Sequence, residues 1–322
     1  MTNAETAQGE ERAKDSANYI VMIGYGPVGR ATVALLHARG TRVRVAQRSR
    51  PADLPDGVGF TTCDVLDADS VRAAVAGAAQ VAVAIGFEYA GAVWSRDWPV
   101  AMRNLLDACA AAGARMVFLD NLYMYGPQTA PLVETMALSA YGRKPAARAA
   151  ITRMWQDDER VRVAALRAPD FYGPGVLLSH IGETGLAAIA RGKTAMFVFN
   201  PDQPHDYAYV PDIGRAMVSL LDADDADFGQ AWHMPCAPTL STRQILAIGA
   251  RAAGVRLRLT TIPRMLLPLI ARFVPFVREL HEMRFQWDRP YQVDAAKWRA
   301  RFWSDVTPFE QGVAATMASF RQ

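Results

Sequence analysis

The stretch that decides the fold is residues 19–40, which read YIVMIGYGPVGRATVALLHARG. The segment YIVMI at its start predicts a short buried strand. A glycine-rich turn follows at 24–29, and the apolar residues after it recur at the three- and four-residue spacing of an amphipathic helix. A strand, a tight turn and a helix in immediate succession are the opening of a β-α-β unit. We therefore expect a parallel sheet flanked by helices.

The glycines of this turn are spaced as in GxGxxG, at Gly24, Gly26 and Gly29. In a dinucleotide-binding turn the first glycine allows the tight bend, the second lets the backbone approach a pyrophosphate, and the third lets the helix pack closely on the sheet. The free N–H groups of the helix N-terminus then face the anion. Because the motif stands between a predicted strand and a predicted helix, we interpret it as a dinucleotide site.

The second strand, RVRVA, ends in Gln47, Arg48, Ser49 and Arg50. A cofactor without a 2′-phosphate usually meets an acidic residue here, about 20 residues after the glycines. Two arginines in its place favour NADP(H) over NAD(H), since guanidinium pairs with phosphate through charge-assisted hydrogen bonds; the alternative is a solvated loop. By position we assign to the cofactor Gly24, Gly26, Pro27, Val28, Gly29, Arg48, Ser49, Arg50, Asp64, Val65, Ala84, Ile85 and Gly86.

The remaining first half repeats the alternation of strand and helix. We predict strands at 19–23, 42–46, 58–62, 80–85, 115–119 and 161–166, and helices at 28–39, 68–76, 99–112 and 146–157. The regular alternation of predicted strands and helices ends beyond Gly173. This order predicts an α/β fold, a Rossmann-type doubly wound parallel sheet with a smaller C-terminal α/β substrate domain. We expect a flexible tail at 1–18, a nucleotide-binding domain at 19–174 that also receives 205–235, and a substrate-binding domain at 175–204 and 236–322.

The composition is that of an ordinary globular protein, with 51% apolar and 21% charged residues and a net charge of +3. Basic residues are scattered, so nothing favours nucleic acid as a partner. Cys63, Cys109 and Cys236 are odd in number and far apart, which predicts neither disulfides nor a metal site and fits a cytoplasmic protein. The longest apolar run, 265–277, is interrupted by prolines and is too short to span a bilayer.

Five further segments carry a resemblance: CDVLD at 63–67, NLLDACAAAG at 104–113, YMYGP at 123–127, LRAPDFYGPG at 166–175 and YAYVPDIGRA at 207–216. With the glycine turn, their order and spacing resemble the extended short-chain dehydrogenase/reductases, the NAD-dependent epimerase/dehydratase family. The resemblance covers nearly the whole chain. It implies a nucleotide-binding fold, a C-terminal substrate domain and a homodimer.

The catalytic residues that the resemblance implies depart from the family pattern. Asn121 stands at the position of a Ser or Thr, and Tyr141 matches the tyrosine of YxxxK, but Pro145 replaces the lysine and Lys144 comes one residue early. We assign Tyr141 as general acid, Lys144 to the cofactor ribose and to lowering the tyrosine pKa, and Asn121 to holding the substrate oxygen. Because Pro145 suits the first turn of a helix, we expect Tyr141 and Lys144 in the preceding loop.

The alternative is that Tyr141 is an ordinary loop residue, and that Asp120, Tyr123 or Tyr172, or the cofactor ribose and water, supply the proton. The histidines are dispersed, so we interpret them as structural. Aromatic residues in segments that border the substrate in the family suggest a flat or apolar ligand. The residues assigned to the substrate are Phe87, Tyr89, Trp94, Tyr123, Phe171, Tyr172 and Trp287.

We therefore expect an NADP-preferring oxidoreductase of the short-chain type that reduces a ketone or aldehyde on an apolar or aromatic small molecule. Two alternatives stay open. One is a nucleotide-sugar epimerase or dehydratase, although Asp170 stands where the family often has Asn in a PxNxYGPG-like segment. The other is a non-catalytic NADP(H)-binding sensor or assembly protein, because Asn121 and the displaced Lys144 are what loss of the chemistry would leave.

Overall fold

The computed structural model describes residues 19–139, 141–262, 269, 272, 273 and 275–321. The tail expected at 1–18 and most of the apolar run at 265–277 lie outside the described residues. None of the described helices is long and apolar enough to cross a bilayer.

The centre of the molecule is a seven-stranded parallel sheet with the order β3-β2-β1-β4-β5-β6-β11. The order reverses between β1 and β4, which is where open sheets of this kind bind ligands. The predicted doubly wound α/β fold is confirmed. The strands of the sheet are β1 (Ile20–Ile23), β2 (Val43–Gln47), β3 (Gly59–Thr62), β4 (Gln80–Val83), β5 (Arg115–Asp120), β6 (Val163–Arg167) and β11 (Gln230–His233).

Helices cover both faces of this sheet and bury a separate apolar core on each. The helices are α1 (Pro27–Ala38), α2 (Ala68–Val75), α3 (Gly91–Ala112), α4 (Arg143–Gln156), α5 (Ala188–Ala190), α6 (Val210–Leu221), α7 (Thr242–Ala252), α8 (Pro275–Glu282), α9 (Ala296–Arg301) and α10 (Phe309–Ser319). One face carries α2, α3 and α4, and the other carries α1, α6 and α9.

A third apolar core lies beyond the carboxyl edge of the sheet and joins α7, α10 and several short strand pairs. A π-helical segment at Gly182–Ala187 runs directly into α5. The strand pairs are β7 (Phe171–Tyr172) with β10 (Ala208–Tyr209), β8 (Ala195–Phe197) with β13 (Leu259–Thr261), and β9 (Pro204–His205) with β12 (Leu240–Ser241).

The helix predicted at 99–112 begins eight residues earlier, at Gly91, so Pro99 lies inside α3. Trp94, Trp98 and Met102 recur every four residues and are all buried against the sheet. Burying two indoles and a thioether on one helix face outweighs the hydrogen bond that the proline lacks.

The helix predicted at 146–157 begins at Arg143, so the expectation that Lys144 precedes the helix is wrong. Glu282 of α8 accepts hydrogen bonds from the backbone N–H groups of Arg143 and Lys144. Because this cap comes from a residue 138 positions away from Lys144, no local signal marks where the helix begins.

Candidate active site

The turn between β1 and α1 leaves room for a ligand at one of its three motif glycines. A Cβ on Gly24, where φ is +92°, would overlap the carbonyl oxygen of Ala84, and one on Gly29 would overlap that of Gly24. A Cβ on Gly26 would meet no heavy atom within 4 Å. Gly26 is also the N-cap of α1, and no side chain caps that helix. The turn is closed on the protein side and open over the N-terminus of α1, which suits a pyrophosphate.

A cleft of about 590 Å³ extends from this turn along the carboxyl ends of the strands. Phe87 lines it beyond the end of β4, as do Arg96 and Asp97 of α3. The residues assigned to the cofactor that line the cleft are Gly24, Gly26, Arg48, Ser49, Asp64, Val65, Ala84, Ile85 and Gly86. Pro27, Val28 and Gly29 form the first turn of α1 behind the loop, and the Arg50 guanidinium lies 5.6 Å over the ring of Phe60.

A glutamine that the sequence analysis did not assign connects the glycine turn to the Arg48 segment. Gln47 Oε1 accepts a hydrogen bond from the N–H of Tyr25 at 3.0 Å, and its Nε2 donates to the carbonyl of Ser49 at 2.8 Å. Arg48 itself is exposed at the rim of the cleft. The sequence position of Gln47 could have indicated this role, because Gln47 replaces the acidic residue expected at the end of the second strand.

The far end of the cleft is shaped by backbone hydrogen bonds around Asp64 and Val65. The Asp64 Oδ1 accepts from the N–H of Leu66 at 3.0 Å, and its own N–H donates to Ser70 Oγ at 3.0 Å. Asn104 Nδ2 donates to the Val65 carbonyl at 3.0 Å. These contacts fix the loop after β3 in place at the edge of the cleft.

Lys144 forms its ion pairs with α8 rather than with Tyr141. The Lys144 side chain is fully buried between Glu279 and Glu282 of α8. Its Nζ donates to both carboxylates, at 3.0 Å to Glu282 Oε2, and lies 4.7 Å over the ring of Tyr89. With 3.6 residues per turn, a lysine one position early on a helix points about 100° away from the family position.

Tyr141 lies just before α4 and is 38% exposed. Its ring meets Phe285 edge-on at 5.5 Å, and its N–H donates to Ser139 Oγ at 3.1 Å. Within the described residues, the hydrogen bond and the ring contact of Tyr141 are with Ser139 and Phe285 and not with Lys144.

The two glutamates of α8 also occupy the N-termini of two helices. Glu279 Oε2 accepts from the N–H of Gly91, the first residue of α3, at 2.8 Å. Glu282 Oε1 accepts from the N–H groups that open α4. Burial raises the pKa of Glu279, but the hydrogen bonds from Lys144 and Gly91 outweigh it and hold that pKa below its usual value. Lys144 thus anchors α8 to α3 and α4.

Asn121 is held by the backbone of the turn after β5. Its Oδ1 accepts from the N–H of Tyr123 at 3.0 Å, which leaves its amide nitrogen without a hydrogen bond within the described residues. Its neighbour Asp120 is buried and bonded to Arg148 Nε at 2.9 Å. The Arg148 guanidinium lies 4.1 Å over the ring of Trp98. Asp120 therefore joins β5 to α4 and is poorly placed to serve as a proton donor.

The two tyrosines named as substitute donors lie in different surroundings. Tyr123 stacks on Trp94 at 5.8 Å, whereas Tyr172 packs between Tyr209 and Phe309 in the C-terminal core. Burial raises the pKa of both phenols. Both hydroxyls therefore keep their protons over the physiological pH range.

The aromatic residues assigned to the substrate fall into separate groups. Tyr89, Trp94 and Tyr123 form one cluster beside Lys144. Trp287 is buried in a second cluster, stacked on Phe199 at 4.9 Å. Phe87 lies between the cofactor cleft and the core, with its ring 4.9 Å from that of Trp98, and Phe171 is half-buried.

The structure also brings together Asp170 and His205, which the sequence analysis did not connect. His205 Nε2 lies 3.1 Å from Asp170 Oδ2, and its Nδ1 lies 2.9 Å from the carbonyl oxygen of Gln286. No spacing in the sequence could reveal this pair, because the two residues belong to different elements that meet only in the folded chain. Within the described ranges, no group of three His, Cys, Asp or Glu residues is placed to hold a metal ion.

Residues 20–233 match the profile of the NAD dependent epimerase/dehydratase family. This chain belongs to that family. No curated protein matches it. Solved structures with the same fold include the enzyme WbmH of Bordetella bronchiseptica in complex with NAD+, at 16% identity and a TM-score of 0.75. A putative epimerase from Burkholderia cenocepacia shares 22% identity at 0.75, and the UDP-glucuronic acid 4-epimerase of Bacillus cereus 14% at 0.77. Each alignment covers 94% of this chain and 98% of the other.

Replacing Gly26 with valine should weaken cofactor binding and leave the fold intact. The backbone at Gly26 is extended, with φ of −73°, and the new side chain would project into open space where the pyrophosphate is expected. We expect NADPH affinity, measured by fluorescence titration, to fall at least about tenfold, while the midpoint of thermal unfolding stays within about 2 °C. Unchanged NADPH affinity would show that the cofactor does not use this cradle.

Replacing Lys144 with methionine should destabilise the protein by about 3 kcal/mol at pH 7, because two carboxylates lose their buried cation. The pKa of Glu279 is lowered in the folded state, so its contribution is complete above the ordinary value of 4.5 and is lost as the pH falls through the lower folded value. Urea unfolding from pH 7 to pH 3 should show the difference from wild type shrinking below about pH 4.5.

The matched control is Lys193→Met, which removes an exposed lysine and should change the free energy of unfolding by less than about 0.5 kcal/mol. A Lys144→Met protein as stable as this control would contradict the anchoring of α8.

Proposed function

We propose that this protein binds a nicotinamide dinucleotide in the cleft and catalyses a redox-neutral reaction on a nucleotide sugar, as an epimerase or dehydratase does. The observation that carries the proposal is the open cradle at Gly26, uncapped at the N-terminus of α1, in a chain whose residues 20–233 match the family. The Bacillus cereus structure is described in complex with UDP-glucuronic acid and NAD. That ligand supports a nucleotide sugar as the substrate class.

The chain's own residues divide the work along the cleft. The N–H groups of α1 and the Gly26 backbone bind the pyrophosphate, and the loop at Asp64 and Val65 borders the adenine. Asn121 can donate its amide N–H to a substrate oxygen at the carboxyl end of β5. A nicotinamide bound by these residues would supply reversible hydride transfer at a carbon that carries a hydroxyl group. Tyr141, beside α4, is the side chain that we assign to proton transfer.

Arg48 and Ser49 at the rim of the cleft support a preference for NADP(H). Gln47 offers no carboxylate to a ribose 2′-hydroxyl, and its amide is committed to Tyr25 and Ser49. A 2′-phosphate at this point would meet the guanidinium of an exposed arginine at the rim of the cleft.

A carbonyl reductase is the second candidate, and the state of Lys144 favours it. Oxidation of an alcohol needs a deprotonated base, whereas reduction of a carbonyl needs a proton donor. Lys144 is held by two glutamates and is not available to stabilise the Tyr141 phenolate. Tyr141 can donate a proton without that assistance.

The experiment that separates these functions follows the cofactor. Purified protein is incubated with UDP-glucose, and in parallel with NADPH and a panel of aromatic ketones and aldehydes. The proposal expects conversion of the nucleotide sugar with no net change in absorbance of the reduced nicotinamide. Loss of NADPH with a carbonyl compound would establish the reductase instead, and tight cofactor binding with no turnover in either assay would establish a sensor.

Replacing Arg48 with alanine tests the cofactor preference. Loss of one charge-assisted contact to a phosphate removes about 1.5–3 kcal/mol, so NADPH affinity should fall about 10- to 150-fold. NADH affinity should stay within about twofold, because NADH carries no 2′-phosphate. Arg256→Ala, which removes an exposed arginine that does not line the cleft, is the matched control. Equal affinity of the wild type for NADPH and NADH would contradict the preference.

A further inference from the structure

Residues 228–278 contain seven arginines and no lysine, aspartate or glutamate. This acid-free stretch therefore carries a formal charge of +7. Since the whole chain carries +3, the residues outside the stretch together carry −4. The arginines are spread along the stretch, so no short basic motif marks it, but no acid lies among them in sequence. Such a charge asymmetry within one chain indicates a negatively charged partner.

The arginines of this stretch that the structure describes all lie at the surface. Arg243 is bonded to Asp202 at 2.6 Å, and Arg278 directly precedes Glu279 of α8. The others make no ion pair within the described residues, and they are Arg251, Arg256, Arg258 and Arg272. Four guanidinium groups thus lie at the surface without a carboxylate partner in the part of the chain that the structure describes.

Arg258 lies beside an exposed two-stranded sheet. β8 and β13 pair in parallel, with Met196 opposite Thr260. Met196 is 41% exposed, whereas its neighbours Ala195 and Phe197 are buried in the C-terminal core. Because side chains alternate along a strand, one face of this pair packs on the core and the other faces solvent. The backbone of Arg258 is fixed beside β8, since its carbonyl accepts a hydrogen bond from the N–H of Ala195 at 2.9 Å.

Further apolar side chains are exposed within the acid-free stretch. Val255 and Arg256 are both exposed in the connection between α7 and β13. Leu269 and Phe273, which precede α8, are 60% and 73% exposed, and Arg272 lies between them in sequence. Eight residue steps separate Leu269 from the end of β13, which places it at most about 28 Å from that strand. Large apolar side chains exposed close together mark an interaction site.

We propose that the exposed residues of the acid-free stretch, together with Met196 on β8, bind the surface of an anionic lipid bilayer. Arginine pairs with phosphate through charge-assisted hydrogen bonds, which suits the head groups of anionic lipids. The apolar side chains enter the boundary between head groups and acyl chains, where they leave water. A nucleic acid would meet the arginines through its phosphates but would leave Met196, Val255 and Leu269 in water. The inference is independent of the proposed function, since none of these residues lines the cofactor cleft.

The test measures binding of the full-length protein to lipid vesicles by cosedimentation. Vesicles of phosphatidylcholine with about 30% phosphatidylglycerol should bind the protein at least about tenfold more tightly than vesicles of phosphatidylcholine alone. Raising the NaCl concentration from about 0.1 M to about 1 M should weaken binding to the anionic vesicles at least about fivefold, because salt screens the charges. Both measurements use the wild-type protein, so they decide even where a variant fails to fold.

A double variant tests the contribution of charge. Arg256→Ala combined with Arg258→Ala should weaken binding to the anionic vesicles about 25-fold, which is about fivefold for each arginine. The matched control combines Arg103→Ala with Arg153→Ala, which removes two exposed arginines outside the stretch and changes the net charge equally. This control should weaken binding by less than about threefold.

A single variant tests the apolar contact. Leu269→Ser should weaken binding at least about fivefold, because the bilayer no longer covers a leucine side chain. The control is the same substitution at Leu35, which is 42% exposed on α1, and its binding should stay within about twofold of the wild type.

Three results would overturn the proposal. The first is equal binding to neutral and anionic vesicles, or binding to neither. The second is the same loss of binding in the control variants as in the test variants. The third is tighter binding of a double-stranded DNA oligonucleotide than of the anionic vesicles, because this would assign the arginines to nucleic acid.

Discussion

The backbone at the turn between β1 and α1 comes closer to its neighbours than any side chain would allow. Gly24 lies against the carbonyl of Ala84 at the end of β4, and Gly29 lies against Gly24 itself. These two contacts direct the N-terminus of α1 over the point where the strand order reverses. A Cβ has no room at Gly24 or Gly29, whereas Gly26 faces open space. The cleft begins at this open position.

Charge burial organises the opposite side of the site. Lys144 with Glu279 and Glu282 joins α8 to the first turns of α3 and α4, and Asp120 with Arg148 joins β5 to α4. A buried ion is stabilised only when its partners stay in place, so each cluster fixes the positions of the elements that it connects. Lys144, which the sequence analysis assigned to the cofactor ribose and to Tyr141, belongs to this framework. The proton transfer that we propose for Tyr141 therefore proceeds without it.

Much of the fold could be predicted from the sequence, because short apolar strands and amphipathic helices carry their own periodicity. The glycine spacing predicted the turn between β1 and α1 for the same reason, since a turn between strand and helix is a local structure. The start of α4 could not be predicted, because Glu282 caps it from a distant helix. The orientation of the Lys144 side chain could not be predicted either, because it depends on α8. The same holds for the contact between Asp170 and His205, which lie far apart in the sequence. Contacts between distant segments leave no periodic trace in a single sequence.

The most direct measurement is a crystal structure of the full chain with NADP+ bound. The account predicts the pyrophosphate against Gly26 at the N-terminus of α1, the 2′-phosphate beside Arg48, and Lys144 still bonded to Glu279 and Glu282. A structure in which Lys144 has left the two glutamates and binds the nicotinamide ribose would contradict the assignment of that lysine to the framework. A dinucleotide bound away from Gly26 would contradict the site itself.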